Sequence, residues 1–136
     1  MNGIYHLMIN FLFGLTLYFS GVIDSIGLFL FFILMAVIID IDHILFFITR
    51  HRTLSIKKMY SLHKSYNNSK HANLYVFHSP EVNLVLLFLG LFNEIVFLVF
   101  VSNLLHIIAD TISHLIFHGN FKFMKEWSIF AKLFLP

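Results

Sequence analysis

The order of apolar and polar positions divides the chain into helix-length apolar segments separated by short or basic polar ones. The first apolar segment runs from about Ile4 to Phe19 and ends at a turn signal, Ser20-Gly21. The second runs from about Ile26 to Ile48 and is long enough to cross roughly 30 Å of hydrocarbon as a helix. The pattern predicts one helix in each segment.

The last apolar region, residues 82–117, is too long for a single membrane helix, because at 1.5 Å per residue it would exceed about 50 Å. Gly90 can end one helix, and Asn93 can cap the next. We therefore predict a third and a fourth helix, about Pro80 to Gly90 and about Glu94 to His118. The third is only about 16 Å long, which is too short to cross a bilayer alone. A break near Ser102-Asn103 is the competing choice.

The composition places these helices in a membrane. The chain is 59% hydrophobic and 12% charged, whereas an ordinary soluble domain carries about 25% charged residues. A soluble fold of 136 residues with 18 phenylalanines could not hide so much apolar surface. We predict an all-α integral membrane protein, a single domain over residues 1–136 with about four apolar helices. The absence of cysteine excludes disulfides, Cys-ligated zinc and thiol catalysis.

The basic residues predict the orientation. All nine Lys and Arg lie in a loop at about 49–80 or in a tail at about 119–136. The positive-inside tendency therefore predicts a multi-pass protein of the cytoplasmic membrane with the loop and both termini cytoplasmic. The tail alternates basic with aromatic residues, which predicts an amphipathic segment at the interface with membrane lipids. The net charge of +2 is small, and no nucleic-acid partner is expected.

Ionisable residues interrupt two of the apolar segments. The second segment contains Asp40, Asp42 and His43, and the last contains His106 and Asp110. Asp40 and His43 share one helix face, as do His106 and Asp110, whereas Asp40 and Asp42 point apart on a regular helix. For both aspartates to serve one centre, the helix must be distorted there, or Asp42 must support the ligands or bind a second ion. Since these segments contain no Lys or Arg, the three carboxylates need a counter-charge at membrane depth. A metal ion would supply it.

Up-and-down connectivity would bring the candidate ligands to one side of the bundle. The starts of helices 1 and 3 and the ends of helices 2 and 4 should lie together there. They carry the candidate metal ligands: His6, Asp40, Asp42, His78, His106 and Asp110. Imidazole with carboxylate suits a divalent ion, Zn²⁺ first, with Mn²⁺, Fe²⁺ or Mg²⁺ as alternatives. This donor set exceeds the needs of one tetrahedral ion, so we expect one or two ions.

These motifs resemble those of the small membrane-bound metal-dependent hydrolases of bacterial inner membranes, and more distantly the metal-binding pattern of zinc-dependent phospholipases C. The family has four motifs, and each has a counterpart here in the same order. Its histidine at the start of helix 1 is matched by Tyr5-His6-Leu7, and its Pro-Asp-x-Asp-His element by Ile39-Asp40-Ile41-Asp42-His43. Its His-Ser pair is matched by Phe77-His78-Ser79, and its Ser-His-x-x-x-Asp element by Leu105-His106-Ile107-Ile108-Ala109-Asp110. Ile39 replaces the family's helix-breaking proline, so Asp40 is preferred to Asp42 as a ligand. The resemblance implies a helical membrane bundle with hydrolytic activity.

The leading functional hypothesis is therefore a metal-dependent hydrolase at the cytoplasmic membrane face, acting on a phosphoester or lipid-related substrate. Asp42 or His43 would be the general base or would support the metal ligands. One alternative is a non-catalytic protein that binds metal for structure or transport, although ligands on one side argue against transport. Another is a membrane adaptor whose basic loop binds a cytosolic protein partner or anionic lipid.

Overall fold

The computed structural model describes residues 3–52, 55, 58, 76–118 and 128–129. The five helices that it gives for this part of the chain are α1 (Gly3–Phe19), α2 (Ile26–Ile38), α3 (Ile41–His51), α4 (Pro80–Gly90) and α5 (Glu94–His118). No strand occurs among the described residues, which confirms the all-α prediction. Most of the predicted basic loop and most of the predicted tail lie outside the described residues.

The connection between α4 and α5 falls at the predicted break. Helix α4 ends at Gly90 and α5 begins at Glu94. Asn93 caps α5, since its side-chain oxygen accepts the Val96 N–H at 3.1 Å. The competing break at Ser102-Asn103 is wrong, because both residues lie inside α5.

The second apolar segment is helical but not one regular helix from Ile26 to Ile48, and it is distorted at Asp40, as one of the sequence alternatives required. The chain turns at Ile39-Asp40, between α2 and α3, without a proline. Asp40 has φ −72° and ψ 0°, and its N–H donates to the Val37 carbonyl, three residues back, at 3.2 Å. The Ala36 carbonyl, four residues back from Asp40, accepts a hydrogen bond from His106 of α5 at 3.2 Å. The turn thus exchanges a helical hydrogen bond for a contact between helices.

The buried residues of the described chain are polar more often than apolar. Ten are polar or charged: His6, Asn10, Asp42, His78, Ser79, Asn83, Ser102, Asn103, His106 and Asp110. Seven are hydrophobic: Ile23, Phe29, Phe32, Ala36, Ile39, Leu98 and Ala109. Large apolar side chains cover the outside of the helices instead. This distribution is the reverse of that in a soluble protein, whose buried residues are predominantly apolar.

Two helical stretches, Ile26–Leu45 and Glu94–Ser113, are long and apolar enough to cross a membrane. In an 18-residue window of each stretch, only 28% and 33% of the residues are buried inside the protein, whereas the core helix of a soluble protein is mostly buried. The apolar helices α1 and α4 are shorter. The membrane prediction therefore has two candidate spans among the described residues.

Buried amides join the helices around a small apolar core of Ile23, Phe29, Phe32 and Leu98. The Asn10 amide of α1 donates to the Phe32 carbonyl of α2 at 3.1 Å and to the Ser102 hydroxyl of α5. One side chain therefore joins three helices. At the other end of the chain, Ser128 and Ile129 donate hydrogen bonds to the Glu81 carboxylate in the first turn of α4.

We expect Gly90→Ala to destabilise the protein by about 1–3 kcal/mol. A methyl group at this position would lie 2.9 Å from the Phe97 Cα, on the facing backbone of α5. Gly27→Ala is the matched control, because a methyl group there meets nothing within 4 Å and alanine favours the helix. Thermal unfolding followed by circular dichroism in detergent measures both. Equal melting temperatures for the two variants would contradict the close approach of α4 and α5.

Candidate metal centre

The structure brings the predicted site residues together at one end of the helices. They come from four parts of the fold. His6 lies in α1, and Asp40 and Asp42 lie at the α2–α3 junction. His78 lies in the turn before α4, and His106 and Asp110 lie in α5. All except Asp40 are buried. The sequence-predicted constellation is thus a contiguous polar cluster.

His78 and His106 each direct their Nε2 atom into the middle of this cluster. His106 Nδ1 lies 3.2 Å from the Ala36 carbonyl, which can only accept, so this nitrogen carries the hydrogen. His78 Nδ1 lies 3.1 Å from Asp42 Oδ2, which also accepts the Phe77 N–H at 3.2 Å. Each neutral ring therefore presents the lone pair of its Nε2 atom to the centre. These two Nε2 atoms are 3.2 Å apart.

Two lone pairs at this distance repel each other unless a cation lies between them. Carboxylate oxygens surround the same point: Asp40 Oδ1 is 3.3 Å from His106 Nε2 and 3.9 Å from His78 Nε2. Asp110 Oδ2 is 3.4 Å and 3.7 Å from the same two atoms. Ligands held at 2.0–2.1 Å around a tetrahedral ion are about 3.3–3.4 Å apart. The spacing is therefore close to that of a metal coordination shell.

Three overlapping groups of residues offer ligand atoms within 4.8 Å of one another: His6, Asp40 and His106; Asp40, His43 and His78; and His78, His106 and Asp110. Each group has the ligand types and spacing that could hold a metal ion. The same atoms also lie at ion-pair distances from each other, so a protonated histidine could supply the positive charge in place of a metal. Both states satisfy the requirement for a cation.

Asp42 lies on the outer side of the His78 ring. Its Oδ2 accepts hydrogen bonds from His78 Nδ1 and the Phe77 backbone, and it belongs to none of the three groups. A carboxylate in this position fixes the ring orientation and raises the basicity of the opposite nitrogen. The structure thus places Asp42 in support of His78, and the prediction that it also binds metal or acts in catalysis stays a prediction.

His6 and Asp110 form the closed side of the cluster. The His6 ring stacks on the His106 ring, with centroids 3.7 Å apart and planes 10° from parallel. His6 Nε2 lies 3.2 Å from Asp110 Oδ1. Asp110 therefore contacts His6 through one oxygen and faces the two central nitrogens through the other, which fixes its orientation.

Asp40 and His43 form the open side. The Asp40 side chain is 30% exposed and that of His43 is 22% exposed, while His78 and His106 are almost fully enclosed. His43 Nε2 lies 3.6 Å from Asp40 Oδ1. A water molecule or a substrate can therefore approach the cluster past these two residues, and His43 is the predicted catalytic residue on this approach.

The electrostatics of the cluster favour positive charge. Burial by itself lowers the pKa of His78, but the Asp110 and Asp42 carboxylates outweigh it and hold the pKa above its ordinary value. The same carboxylates would attract a metal cation. Metal and proton thus compete for the histidine nitrogens.

Two groups that build the site were not predicted from the sequence to do so: the Asn103 amide and the Ala36 carbonyl. The Asn103 amide donates to the Phe77 carbonyl at 2.8 Å and so holds the turn that carries His78. Asn103, His106 and Asp110 follow each other at helical spacing on one face of α5, and this periodicity was the available signal. The Ala36 carbonyl carries no sequence signal at all.

We expect Asp42→Ala to lower the free energy of unfolding by about 1–3 kcal/mol, because the buried His78 Nδ1–H loses its acceptor. Asp42→Asn keeps an acceptor oxygen and should lose less. Asp24→Ala, at an exposed turn position, is the control and should be close to wild type. Chemical denaturation of the purified variants measures the three values. If Asp42→Ala unfolds at the same denaturant concentration as Asp24→Ala, Asp42 does not support His78.

Comparisons with known proteins found no relative of this chain. No family model, no curated protein and no solved structure matches it. They neither support nor contradict the resemblance to the membrane-bound metal-dependent hydrolases. The chemistry of the site therefore rests on its geometry.

Proposed function

We propose that this protein is a membrane-bound, metal-dependent hydrolase that cleaves a phosphoester at the cytoplasmic face of the membrane. One observation carries the proposal: the Nε2 atoms of His78 and His106 are 3.2 Å apart. In each ring the other nitrogen, Nδ1, already donates a hydrogen bond, so Nε2 carries a lone pair. A divalent ion between them satisfies both lone pairs. It also neutralises carboxylates that would otherwise be buried without sufficient counter-charge.

The donor set favours Zn²⁺, with Mn²⁺ and Fe²⁺ as alternatives. His78, His106 and Asp110 would hold one ion, with Asp40 on the open side. Because His78 has one free nitrogen, the group of Asp40, His43 and His78 offers an alternative position for this ion. A structural metal site is usually closed by four protein ligands, whereas a catalytic one keeps a position for water or substrate. The exposure of Asp40 and His43 supports the catalytic alternative.

The chain's own residues supply the remaining chemistry of hydrolysis. A bound divalent ion would contribute Lewis acidity that stabilises the negative charge developing on the phosphoryl oxygens. His43, on the open side, accepts a proton from the attacking water as its oxygen bonds to phosphorus. The ester P–O bond breaks, and the alcohol leaves with a proton from the same imidazole. Asp42 keeps His78 in the required tautomer throughout.

The surface of the protein supports a membrane location. The two candidate spans present most of their apolar side chains outward, and a soluble protein does not expose apolar patches of this extent. The predicted cytoplasmic loop contains six Lys and Arg residues that would attract anionic headgroups: Arg50, Arg52, Lys57, Lys58, Lys64 and Lys70. A phosphoester carried by a lipid would meet both features at the interface.

We expect the purified protein to carry about one divalent metal ion per chain, and Asp110→Asn and His106→Ala to lose most of it. Asp110→Asn keeps the shape of the side chain, so loss of metal would report the missing charge rather than misfolding. Asp24→Asn, an exposed carboxylate, is the matched control. Elemental analysis by mass spectrometry gives the stoichiometry. Wild-type protein without metal, or unchanged metal in both site variants, would refute the proposal.

We expect His43→Gln to lower kcat for phosphoester hydrolysis by about 10²–10⁴-fold, the range typical of a lost general base, with a smaller effect on KM. The metal content should change little if His78, His106 and Asp110 hold the principal ion. A panel of chromogenic phosphomonoesters and phosphodiesters, assayed with metal-loaded protein, provides the readout. Full activity in His43→Gln would show that His43 is not the general base. The measurement of metal content would still test the metal centre separately.

A further inference from the structure

A groove of about 410 Å³ lies between α4 and α5 and reaches His78, one residue of the metal centre. His78 lines one end of it together with Thr111, next in sequence to Asp110. Because α4 and α5 are joined by a short turn and run in opposite directions, Leu87 and Phe100 line the end away from the centre. The groove therefore extends along the two helices from the cluster toward their connection.

The lining of the groove is apolar beyond its polar end. Leu84, Leu87, Leu104 and Ile107 contribute to its walls, and Leu84 is 67% exposed at its edge. The groove thus opens on the outer, apolar surface of the helices rather than into a closed core. In a membrane this surface faces acyl chains.

We infer that this groove binds a single acyl chain of the substrate, so that the phosphoester of the same molecule lies at His78. The inference rests on the proposed function and names its substrate class: a single-chain amphiphile with a phosphoester headgroup. The continuity of the groove with the site is the main support, because His78 belongs to both. A chain in the groove would hold its headgroup beside the cation, whereas a bulk lipid elsewhere on the helices would not reach it.

Asn83 lies where the acyl chain of the ligand would join its headgroup, and it calls for a hydrogen-bond donor there. This residue lines the groove, and its side chain is 92% buried, since its exposed fraction is 8%. Its amide nitrogen donates to the Ser79 carbonyl at 3.1 Å, while among the described residues no donor reaches its Oδ1 atom. A buried acceptor without a partner favours a ligand that brings a donor. We therefore expect a hydroxyl on the linker between the acyl chain and the phosphate, as in a lysophospholipid.

A photoactivatable single-chain lysophospholipid analogue tests the inference in wild-type protein reconstituted in nanodiscs. The expected result is cross-linking concentrated on the groove residues of α4 and α5, mapped by mass spectrometry. Leu104→Trp should fill the groove and reduce that labelling about tenfold, and Leu84→Trp provides a second, more exposed substitution. Leu34→Trp, on the outer face of α2 and not among the groove residues, is the matched control and should label like wild type.

A second probe tests whether the ligand needs the linker hydroxyl. An analogue without the linker hydroxyl should label wild type several-fold less, and Asn83→Ala should abolish this difference between the two probes. Labelling spread evenly over the outer surface, or unchanged in both groove variants, would overturn the inference.

Activity separates this inference from the proposed function. If the groove is labelled as expected but the protein binds no metal and hydrolyses no phosphoester, the proposed function fails while acyl-chain binding stands. If metal-loaded protein hydrolyses chainless phosphoesters, and Leu104→Trp leaves KM for a single-chain substrate unchanged, the function stands and the groove inference is wrong.

Discussion

The structure depends on the need to place positive charge among buried carboxylates and imidazoles. His78 and His106 aim lone pairs at each other across 3.2 Å, and Asp40 and Asp110 face the same point. In an apolar environment such an arrangement is strongly unfavourable without a cation, because no water screens the groups. The contacts between the helices that meet here therefore require a positive charge within the cluster, from a proton or a metal ion. Binding of that cation and assembly of this end of the fold should be coupled.

The fold serves this requirement through polar contacts between helices. Asn10 joins three helices, Asn103 holds the turn before α4, and Asp42 holds His78. In the described part of the chain, buried residues are more often polar than apolar, and most large apolar side chains face outward. In a bilayer, where apolar burial gives little preference for one helix contact over another, interhelical hydrogen bonds and close packing determine which helices pair. The same interactions that stabilise the bundle orient the candidate ligands.

The sequence predicted those features whose causes are local. Gly90 and Asn93 each carry a backbone or capping preference, and the helix boundary falls where those preferences placed it. The periodic placement of His106 and Asp110, and the order of the polar motifs along an up-and-down bundle, were enough to bring the candidate ligands to one place. The distortion at Asp40 was only one alternative in the sequence, because the contact that accompanies it joins the Ala36 carbonyl to a side chain 70 residues away. The different positions of Asp40 and Asp42 in the cluster depend on that distortion, so the sequence did not decide them either.

The contact between His106 and the Ala36 carbonyl makes position 36 sensitive to size rather than to chemistry. A backbone acceptor is present whatever residue occupies the position, so no substitution there removes the hydrogen bond by deleting a functional group. Ala36 is nevertheless completely buried against the neighbouring helices. A bulkier residue would push α5 away from α2 and separate the imidazole from its acceptor. The tautomer of a candidate metal ligand is thus protected by a steric limit on a residue that never touches the ion, and only small residues should be accepted there.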